Sequence, residues 1–247
     1  MTITYAIGDI HGHLDKLRLA HDLIAQDRAR NGESTTPVIH LGDLIDRGPD
    51  SRGVIGLLMQ GQAAGEPWQV IKGNHDRMLL GFLADPHTPD PGLSRPLPYT
   101  WKNIGGHTTL ASYGVDVDES RPLDDIHADA ALAVPQSHQD WIAALPLYHQ
   151  RGDALFVHAG LRPGIALAEQ SEEDLLWIRQ PFHDDLRDHG ALVVHGHTPV
   201  DEATHYGNRL NLDTRAGYGG PVTAAVIEGR HAWQLTPSGR VPLRPVP

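Results

Sequence analysis

The sequence predicts an α/β chain built as a mixed β-sheet sandwich flanked by helices, and two observations carry that prediction. Short apolar runs of strand type alternate with stretches whose apolar residues recur at helical spacing, the pattern of a layered α/β domain. Three further strand-like runs crowd the C-terminal end, too close together for helical crossovers, so part of the sheet must pair antiparallel. The 247 residues suffice for one large domain with a buried core.

Taken in order, residues 3–7 (ITYAI) read as the first strand and stop abruptly in GDIHG. A helix is expected over 14–30, where Leu14, Leu17 and Ile24 share a face among charges. Residues 38–41 (VIHL) form the second strand and run into GDLIDRG; a helix over 51–60 follows, with Val54, Ile55, Leu57, Leu58 and Met59. The third strand, 69–71, runs into KGNHD, with a helix over 76–84 directly behind it. Residues 85–100 (DPHTPDPGLSRPLPYT) are too proline-rich for helix or strand, because proline lacks a donor and clashes with the preceding turn. An insertion of that length is expected to act as a lid or to face substrate, with Tyr99 and Trp101 either packed or turned toward it. Strands at 154–157 and 191–194 end in HAG and HGHTP, and a helix capped by Ser171 is expected over 172–179. Runs at 209–213, 222–227 and 231–235 complete the strands. One domain over 1–236 is expected, followed by a loosely held tail, 237–247, that contains four prolines.

Composition excludes several classes. The 31 acidic against 20 basic side chains leave a formal charge of −11, which argues against nucleic acid or an anionic membrane as partner. The absence of cysteine rules out disulfides, thiolate metal sites and a cysteine nucleophile. The N-terminus carries neither a basic stretch nor a long apolar run, and no window approaches the ~20 apolar residues of a membrane span. A cytoplasmic protein is the expectation. Seventeen histidines are unusual. His40, inside an apolar strand, reads as a satisfied interior residue, and His13 and His195 flank the motifs without reading as ligands.

The chemistry lies where strands end, because ligand crevices of open α/β sheets form at the carboxyl ends of their strands. Asp9, His11, Asp43, Asn74, His158 and His197 all occupy such positions, with glycines beside them that let the backbone approach an ion closely. Mixed nitrogen and oxygen donors without sulfur suit manganese, iron or zinc better than calcium or magnesium. Six donors exceed the needs of one four-coordinate ion. Two ions sharing a carboxylate would use them all, and two-metal sites are a standard device for phosphoryl hydrolysis.

GDIHG (8–12), GDLIDRG (42–48), GNHD (73–76), HAG (158–160) and HGHT (195–198), in that order, resemble the motifs of the calcineurin-like metallophosphoesterases. About 34 residues separate the first two motifs and about 31 the next two, which also fits. Within that superfamily, GDIHG and DRG resemble the PPP-type bacterial serine/threonine phosphatases, the phage lambda phosphatase-like branch. GGHTTLASYG (105–114), HAGLRPG (158–164), LLWIRQPF (175–182) and NLDT (211–214) extend the likeness over roughly residues 3–228.

The resemblance implies two divalent cations, manganese first with iron and zinc as alternatives. Asp9, His11 and Asp43 would hold one, and Asp43, Asn74, His158 and His197 the other. It further implies direct attack by a hydroxide between the ions, without a phosphoenzyme. His75 would protonate the leaving alkoxide and Asp46 would orient His75. Arg47, Arg179 and more weakly Arg162 would grip phosphate oxygens. The implied substrate is a phosphorylated protein or a small phosphoester. One residue departs from the branch: Asp76 stands where these phosphatases usually carry glutamate, whereas GNHD is commoner in diadenosine tetraphosphate hydrolases. Those enzymes, however, usually lack an acid–arginine pair such as Asp46–Arg47. Dinucleotide hydrolysis is therefore the alternative, and a non-catalytic binding scaffold of the same fold the third reading.

Overall fold

In the computed structural model, residues 2–32 and 35–246 are described. The elements run β1 (Ile3–Ile7), α1 (Leu14–Asn31), β2 (Val38–His40), α2 (Ser51–Ala63), β3 (Trp68–Val70) and α3 (Asn74–Ala84). Then come α4 (Gly106–Ser112), α5 (Leu123–Ala133), α6 (Gln136–Ala144), β4 (Tyr148–Arg151), β5 (Ala154–Val157) and α7 (Glu172–Trp177). The chain closes with β6 (Leu192–His195), β7 (Thr204–His205), β8 (Arg209–Asn211), β9 (Ala224–Glu228), β10 (His231–Thr236) and β11 (Gly239–Leu243).

Two mixed sheets result, ordered β11-β10-β9-β1-β2-β3 and β4-β5-β6-β8-β7. In the first, β1, β2 and β3 are mutually parallel while β9, β10 and β11 pair antiparallel. In the second, β5, β6 and β8 are parallel, with β4 and β7 antiparallel at the edges.

Alternation along the strands assigns each side chain to a layer. Ala6 and Ile39 of the first sheet meet Phe156, Val194 and Leu210 of the second in the core between them. Their neighbours Tyr5, Ile7 and Val38 face the other way, against Leu17 and Ile24 of α1 and Val54, Ile55 and Leu58 of α2. Leu155 and Val157 point outward to Leu175, Ile178 and Phe182. The sandwich expected from the sequence, helices outside two facing sheets, is the architecture observed.

The C-terminal segment corrects an expectation. Far from being loosely held, residues 239–243 form β11, an edge strand on β10. Arg240 then reaches α1 with Nε 3.0 Å from Asp27 Oδ1 and Nη2 2.7 Å from Asp27 Oδ2, and Tyr5 donates to the same carboxylate at 2.8 Å. Pro245 bridges to His205 of the other sheet. Prolines signalled disorder, yet they only rule out interior ladder positions, and an edge strand tolerates them.

Candidate metal centre

Because β1, β2 and β3 run parallel, as do β5, β6 and β8, the loops leaving their carboxyl ends converge. Asp9, His11, Asp43, Asn74, His158 and His197 all come together there, each no more than 6 % exposed. Among the described residues two groups of donor atoms form, His11–Asp43–His75 and Asp43–His158–His197, each with its atoms within 4.8 Å of one another. Asp43 belongs to both. Asn74 Oδ1 lies 2.8 Å from His158 Nε2 and 2.8 Å from His197 Nδ1. Asp9 accepts the His197 backbone N–H at 3.0 Å, tying the loop after β1 to the loop after β6.

Such convergence demands unusual backbone. Among the described residues, His11, Asp43, Asp46, Arg47, His197 and Arg215 are the non-glycine ones with left-handed φ, between 46° and 72°, and all lie in these loops. Each costs of order 1–3 kcal/mol that the surrounding packing must offset. Gly73 and Gly196 are required for space: a Cβ would lie 2.1 Å from Asp43 N in the first case and 1.8 Å from Asp9 Oδ1 in the second.

The hydrogen-bond pattern shows what this arrangement can hold. His158 Nδ1 lies 2.8 Å from the Leu41 carbonyl, an obligate acceptor, so Nδ1 carries the proton and Nε2 presents a lone pair. That lone pair faces Asn74 Oδ1 and, at 3.2 Å, Asp43 Oδ1. His11 is fixed likewise, Nδ1 donating to Ile45 O at 3.0 Å and Nε2 left facing inward. His197 turns Nδ1 to the same Asn74 oxygen at 2.8 Å, while its Nε2, on the other side of the ring, is buried without a partner. Several lone pairs aimed at one place are what a divalent cation satisfies, and the donor set fits one.

Electrostatics point the same way. Burial, with Asp213 and Asp43 next, pushes the Asp9 carboxyl well above the usual range. Burial also resists ionisation of Asp43, while any positive charge on His158, His75, His11 or His197 pulls its carboxyl below the usual value. Burial pushes Asp213 up to about 6 and Asp76 up to about 8, with Asp43 adding to both. It lowers His11, His158 and His197, keeping them neutral, the form that ligates metal. Crowded carboxyls among neutral imidazoles are a cation site by charge as well as by geometry.

Beside these groups stands a second constellation. His75 Nδ1 donates to Asp46 Oδ2 at 2.6 Å. Arg47 lies across the mouth, Nη1 2.6 Å from His11 Nε2 and Nη2 3.0 Å from His75 Nε2, with its guanidinium 4.8 Å from the Tyr218 ring. Helix α2 takes its cap from Asp50, whose side chain accepts from Gly53 N at 2.8 Å, so Asp46 is free for His75. Arg179 is exposed just beyond α7, near enough that its charge disfavours protonation of His158 and His197.

Arg162 stands apart from the converging donors. Its Nε and Nη2 bind the two oxygens of Asp174 at 2.9 and 2.5 Å, half-exposed, so its guanidinium is already committed as a surface fork. Tyr99 and Trp101 also separate: Tyr99 is buried and donates to Asp46 Oδ1 at 2.6 Å, while Trp101 is exposed. Asp76, the residue at odds with the phosphatase branch, reaches back to the start of its own helix. Its oxygens accept from Gly73 N at 2.7 Å and Leu44 N at 3.1 Å, pinning two motif loops together. Asp213 and Thr109 escaped sequence reasoning as site residues. Asp213 follows β8 closely, as Asp43 follows β2, a pattern that could have singled it out.

The chain belongs to the calcineurin-like phosphoesterase family, whose profile matches residues 4–225. It is accordingly a hydrolase acting on phosphoric ester bonds. Among individual relatives it is similar to serine/threonine-protein phosphatase 1 of Salmonella typhimurium, 27 % identical over 235 residues that cover 91 % of each chain. It is also similar to a symmetrical bis(5'-nucleosyl)-tetraphosphatase of Janthinobacterium, 29 % identical over 169 residues, 67 % of this chain. That match spans only 46 % of the tetraphosphatase, under half its length. A solved structure described as a candidate diadenosine tetraphosphatase has the same fold, with TM-score 0.63 and 21 % identity over 98 % of this chain and 93 % of that one. Among the described residues no helix is long and apolar enough to cross a membrane.

Proposed function

We propose that this protein is a two-metal phosphomonoesterase of the cytoplasm that removes phosphate from phosphoserine and phosphothreonine. In this reading Asp9, His11 and Asp43 hold one ion and Asp43, Asn74, His158 and His197 the other, manganese being the first choice before iron or zinc. Bound divalent cations supply acidified water and neutralise phosphoryl charge. The chain's own groups do the rest. Arg47 turns from His11 and His75 to the phosphoryl oxygens, Arg179 approaches from α7, and His75, its Nδ1 held by Asp46, carries a proton on Nε2 for the departing oxygen.

The Asp46–His75 hydrogen bond of 2.6 Å is the observation that carries this reading. A serine or threonine alkoxide is a poor leaving group and needs that proton. A nucleotide leaves as a phosphate whose second pKa is about 6, and gains far less from an acid. The match to the Salmonella phosphatase along nearly the full length of both chains is compatible with this choice, and an asymmetrical bis(5'-nucleosyl)-tetraphosphatase of Bacillus subtilis matches 88 % of this chain as well. Dinucleotide hydrolysis is the second reading, favoured by Asp76 in the GNHD motif. The test compares a phosphoserine peptide with diadenosine tetraphosphate in manganese at equal concentration. A higher kcat/KM for the peptide is expected; a higher value for the dinucleotide would replace the first reading with the second.

A further inference from the structure

The proline-rich segment delivers a buried phenol to the acid. Asp46 is wholly buried, and its two carboxylate oxygens serve different partners. Oδ2 receives His75 Nδ1 at 2.6 Å, while Oδ1 receives Tyr99 Oη and Thr109 Oγ1, each at 2.6 Å. Thr109 has one hydroxyl proton, which goes to Oδ1, so at the 2.8 Å contact with Ser51 the donor is Ser51. The Asp46 backbone N–H then divides between Ser51 Oγ at 3.1 Å and Thr109 Oγ1 at 2.9 Å. Every proton in the cluster has one arrangement available. Tyr99 keeps its proton, because burial and the Asp46 charge both push its phenol well above the ordinary value. Its ring is held 5.2 Å from Phe82 of α3 and lines a cavity of ≈ 700 Å³ beneath the proline-rich segment.

We propose that Tyr99 and Thr109 are positioning residues for the Asp46–His75 pair. They fix the carboxylate's rotation and hold its charge on the side away from the imidazole, so that the proton on the imidazole is given to the leaving group and is not drawn to Asp46. The 85–100 segment thereby gains a role, as the arm that brings Tyr99 to the site from 53 residues beyond Asp46. The inference rests on His75 acting as the acid, and the experiment separates the two claims.

Three variants are compared on an alkyl phosphomonoester and on p-nitrophenyl phosphate, whose phenolate leaves without help. Tyr99→Phe keeps the ring and its packing and removes only the hydroxyl. Thr109→Val removes the other donor, and Thr109→Ser restores it. For Tyr99→Phe and Thr109→Val, kcat on the alkyl ester is expected to fall about tenfold at constant KM, the size of one hydrogen bond to a charged group. The loss on the aryl ester should stay within about twofold, and Thr109→Ser should recover most of the alkyl activity. Equal losses on both esters, or no loss on either, in variants with wild-type thermal melting would overturn the inference. His75→Asn serves as reference. If it discriminates between the esters and Tyr99→Phe does not, the positioning role fails alone; if His75→Asn does not discriminate, the acid assignment fails and the inference with it.

Discussion

Acid should weaken this fold through a pair of histidines that the active site does not use. His21 of α1 and His40 of β2 face each other with Nε2 atoms 3.0 Å apart, against Trp68. His40 Nδ1 lies 3.1 Å from the Gln69 carbonyl and must be its protonated nitrogen, so the one proton between the rings belongs to His21. Burial first, and the Arg28 charge second, lower His21 from 6.5 to about 4; burial and His21 lower His40 to about 3. The sign follows from proton counting. Below pH 6.5 the unfolded chain takes up protons that the folded chain refuses, so stability falls with pH and levels off only below the folded value. For His21 alone the difference of about 2.5 pH units corresponds to ~3 kcal/mol, of which ~2 kcal/mol is lost by pH 5. The variant to make is His21→Gln, whose amide can donate to His40 without titrating. Urea unfolding of chelator-treated protein at pH 7, 6 and 5 should show the variant losing ~2 kcal/mol less than the wild type across that range. Parallel stability curves for the two proteins would mean that the histidine pair is not the source of the acid sensitivity.

Asp43→Asn should abolish aryl phosphate hydrolysis and reduce metal uptake measured by calorimetry at both clusters together, because one carboxylate serves both; loss confined to one cluster would argue against a shared ligand. Arg240→Ala should lower stability by about 2 kcal/mol in urea unfolding, since it strips the guanidinium from buried Asp27 while that guanidinium is itself partly exposed. A change near zero would mean that the Tyr5 hydroxyl suffices for the carboxylate.

What was legible in the sequence was what local chemistry encodes. The strand pattern and the glycine–carboxylate–imidazole endings are short-range signals, and the six donors they marked do converge. Asp46 beside Arg47 is likewise visible in the motif, and the helix expected over 14–30 ends within a residue of the observed one. The segment between 101 and 147 carries a weaker signal. Its helices α5 and α6 follow Pro122 and Pro135 directly, a start signal for helices, but they bury few side chains each and so show little apolar periodicity. The pairing of Arg162 with Asp174 was not legible either, because nearness to His158 along the chain says nothing of direction in space. Tyr99 left no trace of its partner at all. Its contact depends on the whole proline-rich arm folding back, and no spacing rule reports a partner 53 residues away.

The left-handed backbone at His11, Asp43, Asp46, Arg47 and His197 bears on how this protein can change over generations. Glycine at any of those positions would relax the chain, so a search for hardier variants that ignored activity would be drawn to the very residues that make up the candidate site. The fold thus keeps in reserve a robustness that it can claim only by ceasing to be an enzyme. Thermal tolerance in its descendants would have to be gathered elsewhere, at the outer helices and the edge strands, where relaxation and chemistry do not compete.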